Sequence, residues 1–313
     1  QGIMVNPYKE SGWLPEWSSP GHRDCMIGSN SASIIAEAYL KGADGFDIDT
    51  AYKAIIKNTN NEGPLGSVGR MGFKEYNSLG YIPYDAKVNE SVARTLEYAY
   101  NDYCIYKLAE KLDRPTNEIE IFKLRSNNYK NVFDSTVNFM RGKSKKGYFE
   151  NRFKPDKWGG VFTEGSSWHY TWSVLHDIQG LINLMGGKSN FIEKMDSIFS
   201  TPPTSDFSYY GFKIHEILEM ELINMGQYAH GNQPIQHVLY LYNYAGQPWK
   251  TQEKVRYVMD NLYGSNEDGY CGDEDNGQTS AWFLFSSMGF YPVAPVTGQY
   301  VIGSPLFEKV EIQ

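Results

Sequence analysis

An all-α fold is predicted for this 313-residue chain, and three observations predict it. Apolar residues recur at helical spacing in one segment after another, and glycines and prolines punctuate those segments. Strand-like alternation is convincing only at the end, in QYVIGSPLFEKVEIQ.

The elements follow in order along the chain. In SASIIAEAYLKG, Ile34, Ile35, Ala38 and Tyr39 share one helical face, and Gly42 closes the run. From about Glu90 to Leu112, the residues Val92, Leu96, Tyr100, Tyr103 and Leu108 trace a longer stripe that Pro115 stops. Tyr129, Phe133, Val137 and Met140 predict a further helix. WSVLHDIQGLINLMGG contributes Val174, Ile178, Leu181 and Met185, with Gly186 and Gly187 as a C-terminal cap. HEILEMELINM reads as the next helix, and PIQHVLYLYNYAG as one with Pro234 in its first turn. TQEKVRYVMDNLYG reads as another, with Thr251 as N-cap, and the last runs through SAWFLFSSMG to Gly289. Short connections favour antiparallel neighbours, so helical hairpins either stack side by side or close into a ring. No sequence repeat decides between the two.

Composition excludes several function classes. A 41% apolar content supports a sizeable core, and a net charge of -8 offers no basic field for phosphate backbones. The longest basic stretch is the loop RGKSKKG, so nucleic acid is not an expected partner. No window of about 18 apolar residues suggests a membrane span, and QGIMVNPYKE lacks the form of a signal peptide, so any export signal is expected to be absent or removed. Three widely separated cysteines without a CxxC pair exclude a cysteine zinc cluster and a disulfide scaffold, and leave the compartment open. The 24 Tyr and 7 Trp serve either core packing or a sugar-stacking cleft.

Polar residues cluster in loops that precede helices: GWLPEW, GHRDCMIGSN, FTEGSSWHYTW, YAHGNQPIQH and CGDEDNGQTSAW. If helices alternate up and down, such loops converge at one end. Known motifs fail one by one. DEDNGQ does not match the spacing of an EF-hand, HEILE has Glu219 where a zinc protease needs its second His, and GSNSA has Asn30 where a nucleophile elbow needs Ser. What is left is a set of carboxylates. Asp273, Glu274 and Asp275 crowd one loop, a cost that falls if they bind a cation, face water or do acid-base work. Glu164 lies among Phe162, Trp168, His169, Tyr170 and Trp172, which suits either a carboxyl raised by desolvation or an acid facing a helix dipole. One protonated and one ionised carboxyl group are what glycoside hydrolysis requires. Asn232 and Gln233, flanked by His230 and His237, offer neutral oxygens that either help hold a hard cation such as calcium or pin their loop.

Taken together, GWLPEW, VFTEGSSWHYTW, HDIQGLINLMGG, GQYAHGNQPIQHVLYLYNYAGQPWKTQ and GDEDNGQTSAWFLFSSMGFYPV, followed by YVIGSPLFEKV, resemble the calcium-dependent exo-α-mannosidases of glycoside hydrolase family 92. The resemblance runs from about Gly12 to Val310. It implies the later part of an (α/α)6 barrel over residues 1–295 and the start of a C-terminal β segment over 296–313. The family's N-terminal β-sandwich and early barrel helices are not in this sequence, so the missing N-terminal domain of the same enzyme is an implied partner. The implied reaction releases mannose from the non-reducing end of an oligosaccharide or glycoprotein glycan, with inversion and with α-1,2 the favoured linkage. Glu164 is the implied acid, one or both of Asp273 and Asp275 the base, and Asn232, Gln233 and Asp275 part of the Ca2+ site. Trp13, Trp168, His169, His230, His237 and Gln278 are the implied substrate contacts. Glu216 is expected to support the metal site from behind, and Glu274 to face solvent. Inversion requires an acid-base separation of roughly 6.5–9.5 Å, room for one water. The resemblance also implies a secreted or periplasmic protein. Two alternatives stand beside it: a calcium-dependent mannose-binding fragment without turnover, and a helical interaction scaffold.

Overall fold

The computed structural model describes residues 2–16 and 22–311. Trp17 of the GWLPEW stretch and Gly21 of GHRDCMIGSN lie outside the described residues. The chain is mainly helical and divides into two compact units. The first comprises Gln1–Asp134, Met140–Phe153 and Gly160–Thr163; the second comprises Ser135–Phe139, Lys154–Gly159 and Glu164–Gln313.

The first unit holds α1 (Gly2–Ser11), α2 (Ser31–Leu40), α3 (Ile48–Thr59), α4 (Phe73–Leu79), α5 (Ser91–Lys111) and α6 (Thr116–Arg125). The predicted helices at 31–40 and 91–111 form where their periodicity places them. The stretch DGFDID starts α3: the Asp47 carboxylate accepts the Thr50 N–H at 3.0 Å. Helix α5 packs against α2 and α6. Its Val92, Leu96, Ile105 and Leu108 are fully buried. A fully buried ion pair crosses this core, Arg70 Nη1 to Asp102 Oδ1 at 2.6 Å. Tyr76 donates to the other Asp102 oxygen at 3.0 Å, so the carboxylate is satisfied on both sides.

The second unit holds α7 (Ser167–Tyr170), α8 (Ile178–Leu184), α9 (Lys188–Ser200), α10 (His215–Ile223), α11 (Pro248–Asn261) and α12 (Gln278–Met288). A 3-10 helix, Gln233–Asn243, stands where PIQHVLYLYNYAG predicts an α-helix, with Pro234 in its first turn as expected. Trp158, Trp172, Trp282, Tyr228, Tyr240 and Tyr242 are fully buried, so much of the aromatic excess packs this core.

Three local expectations are corrected. No helix covers 129–140: Asn128–Val132 is a 3-10 turn, followed by the two-residue strands β1 (Phe133–Asp134) and β2 (Phe139–Met140). Val137, read there as an apolar-face residue, is exposed, and Asn138 adopts a left-handed φ of 54° that breaks a helix. The WSVLHDIQGLINL run is interrupted, because Val174 N–H turns back onto the Trp172 carbonyl at 2.7 Å and Asp177 caps a new start at Ile178 by accepting the Gly180 N–H at 2.9 Å. Thr251 is not an N-cap. Helix α11 already begins at Pro248, and the buried Thr251 hydroxyl donates to the Leu239 carbonyl at 2.7 Å. At the C-terminal end, β3 (Phe290–Tyr291) pairs antiparallel with β4 (Val301–Ile302), so the β segment begins with the residues just after α12.

Candidate active site

Three loops and the start of α10 meet in the second unit. Glu164 occupies a tight turn in which its own φ is 43°, a left-handed conformation that L side chains adopt at a cost on the order of 1 kcal/mol. The surroundings over-determine that turn. Glu164 N–H donates to the Tyr210 hydroxyl at 3.2 Å, and Asn232 Nδ2 donates to the Glu164 carbonyl at 2.8 Å. The Gly165 carbonyl accepts the Gly159 N–H at 3.0 Å. Two residues on, Ser166 caps α7 in a capping box completed by His169. Ser166 N–H donates to His169 Nδ1 at 2.9 Å, which makes Nδ1 the acceptor and leaves Nε2 to donate to the Gln227 carbonyl at 3.1 Å. Glu164 thus precedes the helix cap rather than sitting in the first helical turn, and α7 has only four residues to contribute a dipole.

The second group is acidic. His215 and Glu219, one turn apart on α10, share a face and meet at 2.9 Å. His215 Nε2 lies 3.2 Å from Glu216 and 4.0 Å from Asp273. One ligand atom from each of His215, Glu219 and Asp273 falls within 4.8 Å of the others. The bond to Glu219 raises the His215 pKa, while burial raises the Glu219 carboxyl. Among the described residues, the buried oxygens Glu216 Oε2 and Glu219 Oε2 have no hydrogen-bond partner. Such buried anionic oxygens are costly unless a cation or proton joins them.

The loop of three acids separates into three environments. Asp273 is exposed; Asp275 is partly buried, and that burial, with the charges of Asp273 and Glu216, raises its carboxyl. Glu274 is only partly covered from solvent. Its carboxylate accepts the Gly277 N–H at 2.8 Å and the Ser280 hydroxyl, bonds that lower its pKa and brace the turn leading into α12. Close approach of two glycines joins this loop to the Asn232 loop. A Cβ on Gly272 would stand 2.5 Å from Gly231 Cα and 2.7 Å from Glu219 Oε2, and one on Gly231 would meet the same carboxylate at 2.7 Å.

Residues 2–313 match the family model for the glycosyl hydrolase family 92 catalytic domain. The chain belongs to glycosyl hydrolase family 92. The family 92 chain is 54% identical to an inverting mannosidase of the family from Bacteroides thetaiotaomicron, with a TM-score of 0.86 over 97% of this chain and 41% of that one. It is 37% identical to a family 92 α-mannosidase from the same organism, solved in complex with mannoimidazole, with a TM-score of 0.85 over 96% of this chain and 39% of that one. An uncharacterized secreted glycosidase of Arthroderma benhamiae is 30% identical over 99% of this chain and 41% of its own length. The chain thus spans about two-fifths of the relatives it matches.

Several residues expected against substrate turn out to be occupied within the family 92 chain. His169, 2% exposed, has both ring nitrogens bonded internally, and burial lowers it to about 3. It latches α7 to the Gln227 strap and has no nitrogen left for a sugar. His230 is fully buried between the hydroxyls of Tyr228 and Tyr263, each at 2.7 Å, and is likewise neutral. His237 Nε2 meets the Trp172 carbonyl at 2.8 Å. Trp168 is buried edge-on against Phe139 with centroids 4.8 Å apart. Gln278, at the start of α12, keeps an exposed position and donates to Gln236 at 3.4 Å. Trp13 belongs to the first unit, where Lys57 Nζ lies 4.3 Å above its ring. Asn232 is 6% exposed, its Oδ1 accepting the Gln233 N–H at 3.0 Å. His215 and Glu219 are the pair that sequence reading passed over. Their signal was present, because HEILE places His and Glu four residues apart on one helical face.

Proposed function

We propose that the family 92 chain carries the acid, the base and the cation site of an exo-acting α-mannosidase. It removes mannose from the non-reducing ends of mannose-containing glycans, most readily α-1,2-linked ones, by hydrolysis with inversion. One observation carries the reading. Asn232 holds the turn of Glu164, and its neighbour Gly231 touches Gly272 beside Asp273, so a single short segment keeps the acid and the aspartates in register. The two Bacteroides relatives described as mannosidases support the substrate class, and the first of them supports inversion. We extend the same reading to an (α/α)6 barrel architecture and to a secreted or periplasmic site of action, the latter supported by the secreted Arthroderma relative.

The chemistry follows from the carboxyl groups. Protonated Glu164 gives its proton to the glycosidic oxygen as the bond from that oxygen to C1 breaks. A water on the opposite face of the ring attacks C1 while Asp275 or Asp273 takes its proton, which yields β-mannose from an α-linkage. Partial burial of Asp275 strengthens it as a base. Hard anionic oxygens from Glu216 and Glu219, with neutral carbonyls from Asn232 and Gln233 and the carboxylate of whichever aspartate does not serve as base, fit a calcium ion. When bound there, calcium supplies Lewis-acid stabilisation of charge on the sugar.

Proton NMR of α-1,2-mannobiose hydrolysis tests this. We expect the β-anomer of mannose to form first in calcium and turnover to stop in excess chelator. Initial α-mannose overturns inversion, and chelator-resistant turnover overturns the calcium assignment.

A further inference from the structure

Two consecutive tyrosines are mounted on the turn that carries Glu164. Tyr210 accepts the Glu164 N–H at 3.2 Å. The ring of Tyr209 rests on Gly159 so closely that a Cβ there would stand 2.3 Å from its Cδ1. Gly159 in turn donates its N–H to Gly165, the residue after Glu164, at 3.0 Å. The two tyrosine rings meet edge to face, centroids 5.1 Å apart at 82°. The base of their loop is pinned: Asp206 N–H donates to the Asp156 carbonyl at 2.9 Å, and its carboxylate accepts Lys154 Nζ at 2.8 Å and the Ser208 N–H at 3.0 Å. Tyr209 nonetheless stays 48% exposed, and the loop continues directly into His215 and the carboxylate group.

We propose that Tyr209 is a specificity-determining platform for the sugar on the leaving-group side of the bond that is cut. The inference rests on the α-mannosidase reading and deepens it. A general acid works within about 3 Å of the glycosidic oxygen, so the sugar attached to that oxygen sits on the acid's side, within a ring's width of its turn. A pyranose ring presents a face of C–H groups. A tyrosine that rests on glycine yet stays 48% exposed offers the matching apolar surface, at little entropic cost because the loop that carries it is pinned. Tyr210 is the tether that ties this platform to the acid.

The test compares two substrates that differ in the leaving group. α-1,2-Mannobiose leaves a sugar ring, whereas methyl α-mannoside leaves only methanol, and both need the acid's proton. For Tyr209→Ala we expect the ratio of kcat/KM for mannobiose to that for the methyl mannoside to fall about tenfold, the size of one lost ring contact. Tyr209→Phe, which keeps the ring, should restore the ratio. Should Tyr209→Ala fail to fold, Tyr209→Leu fills the space over Gly159 without an aromatic face and is expected to lower the ratio likewise. An equal loss on both substrates means that Tyr209 merely props the Glu164 turn, and an unchanged ratio means that it touches no leaving group; either result overturns the proposal. If the unaltered protein hydrolyses neither mannoside, the α-mannosidase reading itself fails and takes the platform with it.

Discussion

Glu164 shows how much chemistry one residue's surroundings set. Its left-handed backbone is held by Tyr210 and Asn232, so the turn that carries its carboxyl group is tied on both sides. Glu164→Gln keeps the shape and removes the proton. We expect kcat on mannobiose to drop by about 10²–10⁴, the usual contribution of a general acid, while mannose affinity changes less than about threefold. Calorimetric binding alongside initial rates checks this, and a rate that survives the substitution removes Glu164 from the role of acid. The mannose-binding alternative makes the opposite forecast, because it has no rate to lose.

At the scale of elements, the site depends on a contact with no side chain on either partner. Gly231 and Gly272 approach where a Cβ would overlap backbone, and Glu219 of α10 lies against both. Gly272→Ala should push the acidic loop off the Asn232 loop and α10. We expect a loss of about 1–3 kcal/mol in unfolding free energy from overpacking, and at least a tenfold weaker calcium affinity. Denaturant unfolding and calcium titration of the same sample separate the two effects; unchanged calcium affinity would show that the loops need not touch to form the cation site. Helix α10 illustrates the same dependence. Its periodicity predicts a helix, but only packing decides that the His215–Glu219 face turns toward Asp273.

Across the whole molecule, three buried histidines couple the fold to pH. Burial lowers His169 and His230 to about 3 and His237 to about 4, from 6.5 for a free imidazole. The unfolded chain therefore takes up protons that the folded chain refuses as pH falls from about 6.5 toward those values. Stability should be at its highest above that window and should fall through it, by up to about 1.4 kcal/mol per pH unit for each histidine. Urea unfolding between pH 7.5 and 5 measures the slope, and His237→Gln should make it shallower. An unchanged slope in that variant assigns the acid sensitivity to other groups.

The sequence by itself determined the helical character, the extents of α5 and α10, the end of α12 at Gly289, and the crowding of acids in one loop. Those features are local, written in apolar spacing, glycine caps and clustered carboxylates. The motifs also carried the family, because long ordered matches do not depend on knowing any contact. What spacing could not reveal is which polar atoms are already satisfied. His169, His230 and His237 look like substrate contacts in a sequence, and only the folded chain shows both ring nitrogens of His169 and His230, and Nε2 of His237, bonded within the protein. Glu274 looks like a bare surface acid in the sequence, and only the folded chain shows the Gly277 amide and the Ser280 hydroxyl bonded to it. The same holds for Val137, apolar by type and exposed in fact, and for Glu219, dismissed as half of a failed zinc motif and found beside Asp273. Hydrogen-bond satisfaction and burial arise from residues distant in sequence, so the tertiary structure alone decides which groups are spent on the fold and which are left for chemistry.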